Sequence, residues 1–185
     1  MRIRRVKSRG LVVSRLPASQ LRLLQQIPLH ADPAGSPPAA ERLYQSPVKQ
    51  PLSDTDDELI QDWQDHVVPD LQDEFSRQLD CVTEDLRQVQ RQHPPRAGAL
   101  HEDEAGEAVE GETYELTIPL DHVDAWYGAL NQARLVMQSR YNFPEVENLA
   151  AIVALLASEN LKPYLTSRFY TEIQAALLDL GMDLD

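Results

Sequence analysis

The stretch TIPLDHVDAWYGALNQARLVM, Thr117 to Met137, brings Asp121, His122, Asp124, Trp126, Tyr127 and Arg134 close together in the chain. Carboxylates, an imidazole, a phenol and a guanidinium are the groups of acid–base catalysis, metal binding and anion recognition. Each also has a structural role available. Asp121 follows a strand-like segment and precedes an apolar-periodic run, with Asp124 three residues on. That is the spacing of a helix N-cap and its reciprocal partner, and acids there favour the positive end of the helix dipole. His122 and Asp124 point in different directions on a helix and do not readily share an ion. Trp126 with Leu130, and Tyr127 with Asn131, are spaced one helical turn apart and read as packing residues. His122 has no evident partner.

Arg134 stands out because it shares the apolar stripe of Tyr127, Leu130, Met137 and Tyr141. A buried or half-buried guanidinium demands a carboxylate, a carbonyl or a ligand anion. An acid of the Asp56–Asp73 region is the expected partner. The alternative is a small-anion site built from Arg134, Tyr127 and Asn131.

Elsewhere the chemistry thins out. Asp62 and His66 are one helical turn apart and can touch one ion, yet two ligands do not make a site and no Glu-x-x-His motif accompanies them. The single cysteine, Cys81, excludes an internal disulfide and a multi-cysteine zinc site. Asp80, Glu84 and Asp85 surround it in sequence, an environment that favours the thiol over the thiolate. With only seven glycines there is no phosphate-binding loop, no nucleophile elbow and no Walker motif. No catalytic residue, metal ligand or cofactor is assigned on these grounds, and the chain reads as non-enzymatic.

A net charge of -13 disfavours nucleic acid or an anionic membrane as a partner of the whole chain. The charge is unevenly spread, however: Arg2, Arg4, Arg5, Lys7, Arg9 and Arg15 precede any acid. These residues alternate with Ile3, Val6, Leu11, Val13 and Leu16 in MRIRRVKSRGLVVSRLP, which predicts a β-hairpin turning at Ser8 to Gly10. The basic ribbon either docks on the acidic body or contacts nucleic acid through Arg2, Arg4, Arg5, Lys7 and Arg9. The N-terminus lacks the apolar core of a signal peptide, and the longest apolar run, NLAAIVALLA, is too short to span a bilayer. A cytoplasmic location is expected.

Other elements follow from periodicity. Pro17 to Ile27 predicts a short amphipathic helix stopped by Pro28. Residues 29–52, rich in Pro, Ala and Ser, read as a linker, as does the acidic segment 93–112. Ile60, Trp63, Val67, Leu71, Phe75, Leu79, Val82, Leu86 and Val89 mark one stripe of a long helical region, kinked or divided at Pro69. TYELTIPL alternates as a strand and should pair with the N-terminal hairpin, giving three strands. Helices are predicted over 120–141, 146–157 and 165–180, with Pro163 dividing the last two and Gly181 as a stop. The fold class is thus mainly α (α+β): a helical bundle with a small antiparallel sheet, forming one domain over 1–185.

Three segments, LVVSRLPASQLRLLQQI, DELIQDWQDHVVPDLQDEF and YELTIPLDHVDAWYGALNQARLVMQSR, resemble an uncharacterised bacterial family. Its gene commonly lies beside that of the Clp protease adaptor ClpS in actinobacteria. The third segment is the most specific, with Trp126, Asn131 and Arg134 at matching positions; FYTEIQAALLDL matches in position. The chain departs from the pattern in its longer region around Asn148 to Pro163. The resemblance implies no activity and no catalytic residue. It implies a setting of regulated proteolysis, and some members are labelled transcriptional regulators. A cytoplasmic interaction or regulatory protein with a protein partner is therefore the expected function. Nucleic-acid binding by the N-terminal ribbon is the alternative, and anion binding at Arg134 a further one.

Overall fold

A computed structural model describes residues 1–7, 10–34, 36–48, 53–92, 112–144, 153–155 and 157–181. The expected hairpin is present. β1 (Arg2–Val6) runs antiparallel to β2 (Gly10–Pro17), with Arg2 opposite Ser14 and Val6 opposite Gly10. Gly10 has φ +95, and a Cβ there would lie 2.2 Å from the carbonyl oxygen of Ile118. No other residue fits that close approach without moving backbone. β4 (Thr113–Ile118) pairs with the other edge of β2, and β3 (Gln90–Gln92) adds to β4, giving the order β1-β2-β4-β3. The sheet therefore has four strands rather than the expected three. Three polar residues carry no alternation to read, so only the open edge of β4 recruits β3.

β2 carries a bulge. Its register against β4 shifts between Val13 and Leu16, and Arg15 adopts φ 52. The extra residue turns Leu16 onto the face of Leu11 and Val13, so all three enter one core. Holding a non-glycine residue in that conformation costs about 1–2 kcal/mol, which burial of Leu16 offsets.

α1 (Ala18–Gln25) buries Leu21 and Leu24. Pro28 does not simply stop it. α1 ends at its C-cap, Gln26, and Pro28 then occupies the first turn of α2 (Ile27–Ala31), where its missing N–H is harmless. α3 (Pro37–Leu43) also begins with proline. The segment read as a linker over 29–52 thus contains most of α2 and all of α3, and both pack on α6 (Val123–Tyr141). Their buried contacts are Ile27, Ala31 and Ala39, too few and too small to set a helical period. The segment 93–112 lies outside the described residues except for Glu112.

The long helical region runs from α4 (Asp54–Asp62) through a π-helical turn (Trp63–Val67) to α5 (Val68–Arg87). Ser53 caps α4, its Oγ accepting from the Asp56 N–H at 3.3 Å. The division expected at Pro69 takes the form of that wide turn. The Val68 N–H reaches back five residues to the Trp63 carbonyl, relieving the ladder where proline cannot donate.

α6 is the central element, packed by α2, α3, α5 and α7 (Leu161–Gly181). Its buried apolar residues are Trp126, Ala129, Leu130, Ala133, Val136 and Met137, rotated from the expected stripe, and Gln132 is buried with them. Tyr127 is exposed rather than packed. Asp121 does not cap α6. Residues Leu120–His122 form a 3-10 turn, and no side chain caps the helix that follows. α7 starts before Pro163, which sits in its first turn, and Leu165 is exposed rather than on the buried face. The helix expected over 146–157 lies largely outside the described residues.

α2 and α7 are joined by a polar contact. The Tyr170 hydroxyl donates to the Leu23 carbonyl at 2.6 Å, so it accepts from His30 Nδ1 at 2.9 Å. Burial pushes the Tyr170 phenol well above its ordinary range. Burial, and then the Arg140 guanidinium, hold His30 below its ordinary 6.5. A depressed histidine pKa means the unfolded chain takes up protons first as pH falls. The His30 contribution to stability is therefore complete above about pH 6.5 and lost as pH falls toward the lower folded-state value. Urea midpoints measured from pH 8 to 5 should decline more steeply in the wild type than in His30→Gln.

Candidate functional site

The residues that converge most closely are not the set singled out by spacing. Asp85, in the last turn of α5, is 4% exposed and faces the start of α6. The fully buried Trp126 indole donates to its Oδ2 at 2.8 Å. His122 Nδ1 lies 3.0 Å from Oδ1 and 3.1 Å from Oδ2. A buried carboxylate needs such donors, because desolvation is costly for an unpaired charge. His122, expected to lack a partner, therefore has one. Trp126 is a packing residue, as expected, and a hydrogen-bond donor as well.

Cys81 lies one turn before Asp85 on α5, which puts its thiol on the same face. Cys81 Sγ, an Asp85 carboxylate oxygen and a His122 ring nitrogen all lie within 4.8 Å of one another. Burial, then the charges of Asp85 and Asp121, push the thiol pKa up. Such a thiol is a poor nucleophile at neutral pH. The arrangement thus holds the three side-chain types of a nucleophilic triad without the electrostatics that would activate it. A signal in the sequence pointed here: Asp85 falls between Val82 and Leu86, inside the apolar stripe of α5.

Around Arg134 the partner differs from expectation. The half-buried guanidinium donates through Nη1 to Oε1 of Gln174, a neutral amide on α7, not to an acid of 56–73. Gln174 is itself buried, and its Nε2 donates to the Tyr127 carbonyl at 3.1 Å. Arg134 and Tyr127 are therefore linked through α7, with the Tyr127 backbone rather than its phenol. Asn131 is half-buried on the same helix. Gly128 keeps α5 and α6 close: a Cβ there would lie 2.1 Å from Oε1 of Gln78, which accepts from Gln132 at 2.9 Å.

In the N-terminal ribbon, Arg2 and Arg4 are exposed on the edge strand β1, and Lys7 is exposed beyond it. Arg5 is half-buried, and neither it nor Arg15 is free of partners. Arg9 lies outside the described residues. Asp62 and His66 straddle the junction of α4 with the π turn. Both line an open cleft of about 300 Å³ whose walls are Pro47, Val48, Leu59, Trp63 and Val67.

The family described as Domain of unknown function (DUF2017) matches residues 7–180. The chain belongs to the DUF2017 family. The match takes in β2, the central helices and nearly all of α7 but not β1, so the Asp85 cluster and Arg134 both lie within the DUF2017 region. No curated protein and no solved structure matches the chain. No helix among the described residues is long and apolar enough to cross a membrane.

Proposed function

We propose that this DUF2017 chain is a non-enzymatic interaction protein that docks a basic partner on the α4 arm. The observation that carries this is the exposure of α4. None of its described residues is buried, and Leu59 is 51% exposed beside the apolar cleft. A nine-residue helix gains little stability by itself in water. Here it is held by its cap and by continuity with α5, which leaves its apolar face available. Asp56, Asp57, Glu58 and Asp62 surround that face on the same helix, so a partner with basic residues around an apolar anchor complements it.

The family resemblance makes components of Clp-type regulated proteolysis the first partners to test, in a cytoplasmic setting. A photo-cross-linking amino acid at position 59 should give a defined adduct in cells. Purified, that partner should bind the chain in a salt-sensitive manner. Leu59→Asp should weaken binding at least about tenfold while changing stability by less than about 0.5 kcal/mol. Adducts formed elsewhere on the chain but not from position 59, or binding indifferent to Leu59→Asp, would overturn the proposal.

The exposure of Arg2 and Arg4 on edge strand β1 favours nucleic-acid binding as the second reading. It predicts retention on duplex DNA that falls steeply with salt and is lost in the Arg2→Ala, Arg4→Ala double variant.

A further inference from the structure

We propose that Cys81, Asp85 and His122 form a binding site for a divalent cation of the zinc class. The three donors come from two elements, α5 and the 3-10 turn before α6, and their ligand atoms already lie within 4.8 Å of one another. A tetrahedral zinc ion has bonds of about 2.0 Å to nitrogen and oxygen and about 2.3 Å to sulfur. Its ligand atoms therefore stand roughly 3.3–3.8 Å apart. A contraction of about one ångström closes the site, within reach of a cysteine rotamer change and a small shift of His122.

Donor chemistry selects the ion. Thiolate, imidazole and carboxylate together suit zinc and its first-row neighbours, whereas calcium and magnesium require six or more oxygens. Three protein ligands leave the fourth position open to water. The His122 side chain is 36% exposed, which gives the ion an access path to the buried Asp85. Trp126 completes the arrangement. Its indole N–H holds Asp85 Oδ2, so Oδ1 is presented in a fixed orientation, as partners beyond the ligands do in metal sites. The nearby Asp121 adds negative potential at the thiol, which a cation neutralises.

Cys81 is the only cysteine, so thiol reactivity reports on this site alone. The full chain, reduced and stripped of metal, should bind one Co²⁺ with a thiolate-to-metal charge-transfer band that Zn²⁺ abolishes. Zn²⁺ at about ten times its Kd or more should slow alkylation of Cys81 at least about tenfold, because the metal-bound thiolate is withdrawn from the reactive pool in proportion to occupancy. Cys81→Ser should lose the band, and His122→Ala should lose most of the alkylation protection. Glu84→Gln, an exposed neighbour, should keep both. The site is disproved if Zn²⁺ leaves the wild-type alkylation rate unchanged, or if the band persists in Cys81→Ser. The alkylation measurement on the wild type decides the matter even where a variant folds poorly.

Discussion

Asp85→Ala is expected to destabilise the chain by about 3 kcal/mol. The carboxylate accepts from Trp126 at 2.8 Å and from His122 at 3.0 Å, and alanine leaves both without their acceptor. The indole is the more costly loss, because Trp126 is fully buried and water cannot replace the bond. His122 is partly exposed and recovers much of its loss from solvent. Asp85→Asn should cost less, about 1 kcal/mol, since its carbonyl oxygen can still accept from the indole. The partition is testable by a cycle with Trp126→Phe, which removes the donor and keeps a large ring. If the indole contact dominates, Asp85→Ala should cost at least about 1 kcal/mol less in the Trp126→Phe background. Urea midpoints for the four proteins measure this, and strict additivity would refute it.

Gly10→Ala should be comparably damaging, for a backbone reason. The added Cβ would meet the Ile118 oxygen at 2.2 Å and the Pro119 Cα at 3.0 Å, while φ +95 is itself unfavourable for alanine. Neither neighbour is a flexible side chain. The end of β4 has to move, and with it the pairing of Leu11 with Ile118, both fully buried. The left-handed conformation costs about 1–2 kcal/mol and the displacement about 1–3 more. A total near 3 kcal/mol corresponds to a fall in Tm of about 6–12 °C for a chain of this size. A Tm within about 2 °C of the wild type would mean that β4 yields freely.

These two sites are instructive about what can be read from residues alone. The hairpin, the strand Thr113–Ile118 and the long helices were legible, because each carries its own period of two or near 3.6. The break at Pro69 was legible because proline lacks a donor whatever its surroundings. That the Arg134 guanidinium needs an acceptor follows from its place on the apolar stripe. The identity of that acceptor does not, because Gln174 lies far along the chain and a neutral amide leaves no charge pattern to match. The short helices α2 and α3 were missed because Ala31 and Ala39 bury little surface, yet α6 approaches closely enough to need residues that small.

The mainly helical class, the basic N-terminal ribbon on an acidic chain and the apolar faces that had to be buried all follow from the order of residues. Those properties depend on composition and local spacing, which are written in adjacent residues. Which polar groups meet depends instead on how the elements pack. Asp121 and Asp124, neighbours of His122 in the chain, do not become its partner. Asp85, distant in sequence, does, because α5 is packed against α6 by Val82, Leu86, Trp126 and Leu130. Apolar burial is nondirectional and brings the helices together wherever their stripes match. A hydrogen bond is directional and short-ranged, so its partners exist only once that packing has set the distance.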